Sequence, residues 1–457
     1  MTMTAIPAPA RRKSFLQAFK RSPIAGLISL RYFILRFSTA GSALIAGLIQ
    51  TFVFARVLDP ELFSIFILVG TLGISMWLFD LGLPKILFVE LRARHLAGDD
   101  KDPAARQANA LALLYAALVA AGALLCFAAM AARPSATTWQ AAEFALFFLF
   151  SALNLVWFVL RNFCIAVDEF IYFETLEALR RAGHIALMLA MLIGLPFALF
   201  LLAVNALWAV LFALAVKKLI ERGALTRHLR GVFSRLAVFF RANRKAALRT
   251  GTHAASELYI HNVMYLAVPV VFGLGAPTIV LDTTFKVFFG TLVLYSAACD
   301  LLVPRQTSAY AARDARTLLR ATVMAMLLCA APAVAIGALL VLAADDLFAL
   351  LLGPAATMPA TVTPILLVLL AAGVAKTAAN YLLQHTGFFR EIARLAFWIA
   401  AGTTAAVATG IIAGLDLIQL LAIYAGSYAC GALFYLALAI HKPIRLARQE
   451  RETVTAC

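Results

Sequence analysis

The sequence predicts an all-α polytopic membrane protein, with about 12 transmembrane helices in two six-helix bundles. Three observations carry this. The chain of 457 residues is 63% hydrophobic and 14% charged, with a mean hydropathy of +0.92. Soluble domains sit near about half apolar and about a quarter charged, and a disordered chain needs the opposite balance. Apolar stretches of bilayer length recur along the whole chain. Matching segments also recur on either side of one long basic stretch. A water-soluble globule and a disordered chain are both excluded.

A bilayer-crossing helix needs roughly 20 mostly apolar residues. Twelve stretches meet that length: 32–55, 62–83, 108–132, 141–161, 174–195, 197–217, 254–274, 279–303, 318–343, 360–383, 393–413 and 416–440. The run from Ile185 to Val216 is too long for one span. Gly194 and Pro196 punctuate it, which predicts a tight helical hairpin. The fifth stretch opens with Glu174, Glu177, Arg180 and Arg181, so it starts in a polar cavity or at the interface. Before the first stretch, SFLQAFKRSPIAGLISLRYF mixes apolar and basic residues, as an interfacial amphipathic helix does. No small-residue cleavage site precedes Tyr32, so no cleavable signal peptide is expected.

The net charge is +16. In a soluble protein it would point to nucleic acid. In a membrane protein Lys and Arg collect in cytoplasmic loops. Of 39 Lys and Arg residues, all but four fall on one side of the twelve-span topology. Arg56 and Arg133 lie on the other side, and Lys286 and Lys376 lie inside spans. Both termini are thus expected in the cytoplasm and the chain in the inner (cytoplasmic) membrane. The domains read as a basic amphipathic segment at 1–30, a bundle at 31–218, a basic linker at 219–252, a second bundle at 253–440 and a basic tail at 441–457. No extramembrane stretch is long enough for a soluble catalytic domain. No GxxxxGK[ST] motif occurs, and the six cysteines show no metal spacing. No catalytic residues, no metal, no cofactor, no enzyme activity and no nucleic-acid partner are expected.

LDPELFSIFILVGTLGISMWLFDLGLP (58–84) aligns with LGAPTIVLDTTFKVFFGTLVLYSAACDLLVP (274–304). VDEFIYFETLEALRRAGHIALMLAMLIGL (167–195) aligns with TGFFREIARLAFWIAAGTTAAVATGIIAGL (386–415). Both pairs are offset by a similar distance, which predicts parallel six-plus-six repeats with a site near the midplane.

Ionisable groups in the bilayer cost about 2.5–3.5 kcal/mol each on insertion scales. Lys286 lies deep in the eighth stretch. It either meets an anionic head group in a cavity, or snorkels and pairs with Asp282 one turn away. Lys376, two turns from the inner end of the tenth stretch, faces the same choice. Arg36 and Arg161 line an inward vestibule or anchor the topology. His253, Glu257 and His261 share one helical face. That face is either a titratable stripe for ion coupling or a solvated surface. Asp80 and Asp300 occupy corresponding places before prolines, as coupling residues or as structural acceptors where a helix bends. Asn154, Asn205, Asn262 and Asn380 read as helix–helix hydrogen bonds.

ARVLDPELFSIFILVGTLGISMWLFDLGLPKILFVELRAR resembles the block "helix, short outer loop with Pro-Glu, helix, Asp-x-Gly, cytoplasmic loop" of the polysaccharide flippases (O-antigen flippase-like). These belong to the multidrug/oligosaccharidyl-lipid/polysaccharide (MOP) exporter superfamily. CDLLVPRQTSAYAARDARTLLR, LFALLLGPAATMPATVTPILLVL and YLLQHTGFFREIARLAFWIAAG resemble later blocks of that family in the same order. The resemblance covers about residues 31–440. It departs at Phe63-Ser64, where the family has Gly after Pro-Glu. It implies a V-shaped MATE/MOP-like pair of bundles. It also implies an isoprenoid-diphosphate-linked oligosaccharide as cargo, moved between leaflets by alternating access for surface or exopolysaccharide synthesis.

On that reading Lys286, Lys376, Arg36 and Arg161 are substrate-binding cavity cations. Glu257, His261, Asp80 and Asp300 are the ion-coupling candidates, for H+ or Na+. Partners are the isoprenoid-linked saccharide, membrane lipids and other polysaccharide-assembly proteins. The alternatives are a drug/cation antiporter of the same fold, a non-transporting subunit, or a membrane glycosyl-polymerase or ligase. The topology is open to a direct check. A periplasm-dependent reporter fused after Arg133 is expected to be active, and one fused after Arg222 inactive; the reverse pattern overturns the orientation.

Overall fold

A computed structural model describes residues 28–80, 82–97, 103–134, 137–227, 232–353 and 355–444. The amphipathic segment expected before residue 28 and the basic tail from 445 on lie outside the described residues. In the first half the chain forms α1 (Ile28–Val57), α2 (Pro60–Ser75, closed by a 3-10 turn at Met76–Phe79) and α3 (Leu83–Ala97). It continues with α4 (Pro103–Ala131), α5 (Thr138–Ala166), α6 (Phe170–Leu192) and α7 (Phe197–Glu221). The second half repeats the order: α8 (Val232–Phe272), α9 (Ala276–Asp300), α10 (Val303–Ala311), α11 (Ala315–Leu352), α12 (Val362–His385), α13 (Phe389–Ile412) and α14 (Leu417–Ala439). No strand occurs among the described residues.

Local chemistry sets the boundaries. Asp59 caps α2 by accepting from Leu62 N at 2.9 Å, with Pro60 at the first helical position. Thr137 with Gln140, and Asp416 with Gln419, form capping boxes that open α5 and α14. Gly194, at φ +104°, makes the turn of the expected hairpin, and Pro196 starts α7.

Among the described residues, eleven helices are long and apolar enough to cross a membrane. The one expected stretch outside these eleven is the fifth, α6, a 23-residue helix whose charges break its hydropathy. Two boundaries differ from expectation. The seventh span and most of the basic segment 219–252 form one 41-residue helix, α8, because no proline interrupts the run before Pro269. The expected far-side loop 344–359 is helical through Leu352: α11 kinks at Ala343 (φ −146°) and resumes.

The two halves pack alike. α1 lies on α6 and α8 on α13; α2 on α5 and α9 on α12; α4 on α5 and α11 on α12. α7 contacts both α5 and α6, and α14 contacts both α12 and α13. The short helices α3 and α10, each carrying a proline in its first turn, touch α5 and α12 in the same way. The bundles meet along a seam where α1 packs on α9 and α11, and α2 on α8 and α9.

In lipid, helix association depends on close packing rather than on the hydrophobic effect. Phe54 fills one half with edge-on contacts to Phe63 and Phe197. Elsewhere small residues let backbones approach. A Cβ on Gly73 of α2 would stand 2.7 Å from Ser151 Cβ and 2.9 Å from the Phe148 carbonyl of α5. Backbone cannot yield there as a flexible side chain would. Gly73→Ala is therefore expected to cost about 1–3 kcal/mol by overpacking, read as a lower thermal midpoint in detergent. Gly402→Ala, with nothing within 4 Å, serves as the neutral control.

Candidate functional site

The charged residues expected inside the bilayer fall into three groups. The first lies along the seam. Lys286 projects from α9 roughly 15 Å along the helix from Ala276, at 1.5 Å per residue. Its Nζ is 2.6 Å from Asp282 Oδ2 and donates to Thr51 Oγ1 of α1 at 3.1 Å. Asp282 also accepts from the Tyr265 hydroxyl at 3.1 Å. The pairing expected within α9 is thus present, and the ammonium also reaches across to the other bundle. One turn along, Leu44 of α1 lies against Gly290, where a Cβ would overlap the leucine side chain. Nearer the basic face, Arg36 Nε donates to Asp300 Oδ2 at 3.1 Å, again joining α1 to α9. Asn262 of α8 donates to Ser75 of α2 at 3.2 Å.

At the opposite face two more contacts cross the seam. Ser64 Oγ accepts from Gly275 N at 2.8 Å, and its single hydrogen is shared between the Pro60 carbonyl at 2.8 Å and Gly275 O at 3.1 Å. This is the position where the sequence departs from the flippase pattern, and the serine supplies the link. Arg56 Nη2 donates to the Leu350 carbonyl at 2.7 Å, in the last turn of α11. A cation at a helix C-terminus suits the exposed carbonyls and the dipole.

The second group lies in the first bundle. Arg161 of α5 donates to Glu174 of α6 at 3.2 Å, and Thr39 of α1 donates to the other Glu174 oxygen at 3.0 Å. One turn on, Glu177 accepts from Arg180 at 2.5 Å, Arg181 at 2.8 Å and the Trp157 indole at 2.8 Å. The charges of α6 are satisfied inside the fold, which is how this span tolerates them.

The third group lies in the second bundle. Lys376 Nζ of α12 is 2.7 Å from Glu257 Oε2 of α8, and the Tyr435 hydroxyl of α14 donates to Glu257 Oε1 at 2.6 Å. The ammonium stands over the Tyr428 ring at 4.4 Å. His253, on the same face of α8, is buried and bonds Gln384. His261 packs on the rings of Phe289 and Tyr428. The stripe on α8 faces the bundle interior and is not a solvated surface. Lys376 and Glu257, assigned separate roles by sequence, are partners.

Asp80 and Asp300 part company despite their matching places. Asp80 is buried at the end of its 3-10 turn and accepts from Tyr115 at 3.4 Å, while Asp300 belongs to the seam. Of the asparagines, Asn205 and Asn262 bond between helices. Asn154 and Asn380 bond within their own helices. Sequence reasoning missed Thr39, Thr51, Tyr265 and Tyr435, because a hydroxyl in an apolar helix carries no periodic signal. Among the described residues no cluster of metal-ligating side chains occurs.

No protein-family model matches the chain, and no curated protein matches it by sequence. Solved structures do match by fold. An inward-facing multidrug resistance MATE family transporter of the MOP superfamily superimposes at a TM-score of 0.63 with 13% identity, covering 91% of this chain and 99% of that one. A MOP superfamily transporter from Pyrococcus furiosus gives 0.59 with 12% identity, over 91% and 96%. A eukaryotic MATE transporter gives 0.57 with 12% identity, over 96% and 99%. The chain therefore has the all-α, multi-spanning MATE-like fold.

Breaking a buried ion pair from one side leaves an uncompensated charge. Glu174→Leu is expected to cost about 3 kcal/mol on that ground. The double variant Glu174→Leu with Arg161→Met is expected to recover most of that loss in thermal unfolding. A double variant no more stable than the single one overturns the pairing.

Proposed function

We propose that this chain is an inner-membrane flippase that carries an isoprenoid-diphosphate-linked oligosaccharide between leaflets by alternating access. The observation that carries the reading is the seam between the bundles. Lys286 and Arg36 stand there, each held by a carboxylate and each joining α1 to α9 or lying beside it. A diphosphate is a stronger, multidentate acceptor than one carboxylate. On arrival it competes with Asp282 and Asp300 for these cations and loosens contacts that hold the bundles together. Arg161, with 22% of its side chain exposed, extends the cationic surface towards the cytoplasmic side. The isoprenoid tail stays in the bilayer.

The sequence resemblance, the excess of basic residues and the shared fold all support this reading. The Pyrococcus furiosus transporter is described as having a binding pocket of reverse polarity, which suggests a different function for it. Glu257 and His261, on one face of α8 in the second bundle, are assigned to coupling with a proton gradient, since Lys376 already holds the cation position at Glu257. Asp80 serves its bundle structurally through Tyr115. The role is transport rather than catalysis, with both termini in the cytoplasm.

A drug/cation antiporter is the second reading. It is favoured by the shared fold of a multidrug resistance transporter and by the buried carboxylates Glu174 and Glu257. Proteoliposomes separate the two. The flippase is expected to move a labelled isoprenoid-diphosphate saccharide, and Lys286→Ala to lose that transport while remaining inserted. Export of a fluorescent cationic drug with no movement of the lipid-linked sugar overturns the proposal. Full activity of Lys286→Ala removes the seam lysine from it.

A further inference from the structure

Glu257 is the point where the second bundle collects its polar groups. Both of its carboxylate oxygens are taken: Oε1 by the Tyr435 hydroxyl at 2.6 Å and Oε2 by Lys376 Nζ at 2.7 Å. The lysine side chain is only 4% exposed. Its ammonium lies over the faces of Tyr428 at 4.4 Å and Tyr435 at 5.6 Å. The Tyr424 hydroxyl, in the same aromatic stack, is buried and has no hydrogen-bond partner among the described residues. A carboxylate oxygen and two tyrosine faces around one small positive centre, with a tyrosine hydroxyl holding the other carboxylate oxygen, are the surroundings a buried monovalent cation needs. Hard oxygen donors suit an alkali-metal ion as well as an ammonium.

We propose that the Lys376 ammonium is a tethered counter-cation filling what is otherwise an alkali-cation site on Glu257. The wild-type second bundle then takes up no free sodium at this carboxylate, because the amine is covalently attached and always present. Shortening the side chain removes the ammonium and leaves room beside Glu257. The site then recruits an exchangeable cation: sodium, or a small amine such as methylammonium. Lys376→Met also removes the charge, but its thioether fills the space. It therefore loses the tethered cation without gaining the exchangeable one. The inference concerns cation binding alone and holds whatever the chain transports.

Purified protein in detergent is titrated with sodium chloride against choline chloride at constant ionic strength, reading the thermal midpoint. Wild type is expected to show no sodium-specific shift. Lys376→Ala is expected to show a saturable rise with sodium or methylammonium. Lys376→Met and the double variant Lys376→Ala with Glu257→Gln are expected to show none. A saturable sodium shift in wild type overturns the proposal, as does a Lys376→Ala protein indifferent to both cations. Where Lys376→Ala cannot be purified in either salt, the wild-type titration decides: a flat response upholds the tethered cation and a saturable one rejects it. Loss of flippase activity leaves these midpoints unchanged, so the two proposals fail separately.

Discussion

A charge held in hydrocarbon has to find its partner within the protein, and this constraint organises the molecule. Each bundle carries a cation–carboxylate pair with one partner buried: Glu174 with Arg161 in the first, Lys376 with Glu257 in the second. The cations come from α5 and α12, which hold matching places in the two packing patterns. Each pair is completed by a hydroxyl from a third helix, Thr39 or Tyr435. Three helices of each bundle are tied together by groups that cannot leave one another without exposing charge to lipid.

The seam is built on different terms. Beside its helix packing, its polar contacts are single hydrogen bonds and partly exposed ion pairs: Ser64 with Gly275, Arg56 with the end of α11, Arg36 with Asp300 and Lys286 with Thr51. Each alone is weak enough to be exchanged for water or ligand.

Much of the architecture was legible in the sequence, because hydropathy and punctuation are local. Gly194 and Pro196 marked the α6–α7 hairpin, and the matched segments around Asp80 and Asp300 marked the repeat. The reading faltered where a local signal was absent. Nothing in the basic run before Gly251 told a loop from a helix, and α8 continues through it. The kink at Ala343 has no proline or glycine to announce it. The site was legible as a set of residue types and depths. Lys376 and Glu257 stood out singly, yet they are 119 positions apart by residue number, and no spacing rule joins them.

The sequence by itself determined that this chain is apolar enough to span a membrane many times and falls into two similar halves, and it led us to expect the basic residues on one side. These follow from apolar content, period and charge counts, which add up residue by residue. Only the tertiary structure decided which charges meet. It placed Lys286 and Arg36 on the seam, sent Lys376 into the interior of the second bundle, and separated Asp80 from Asp300. Pairing depends on which helix faces which at a given depth. That is a property of packing between distant segments, which local composition does not encode.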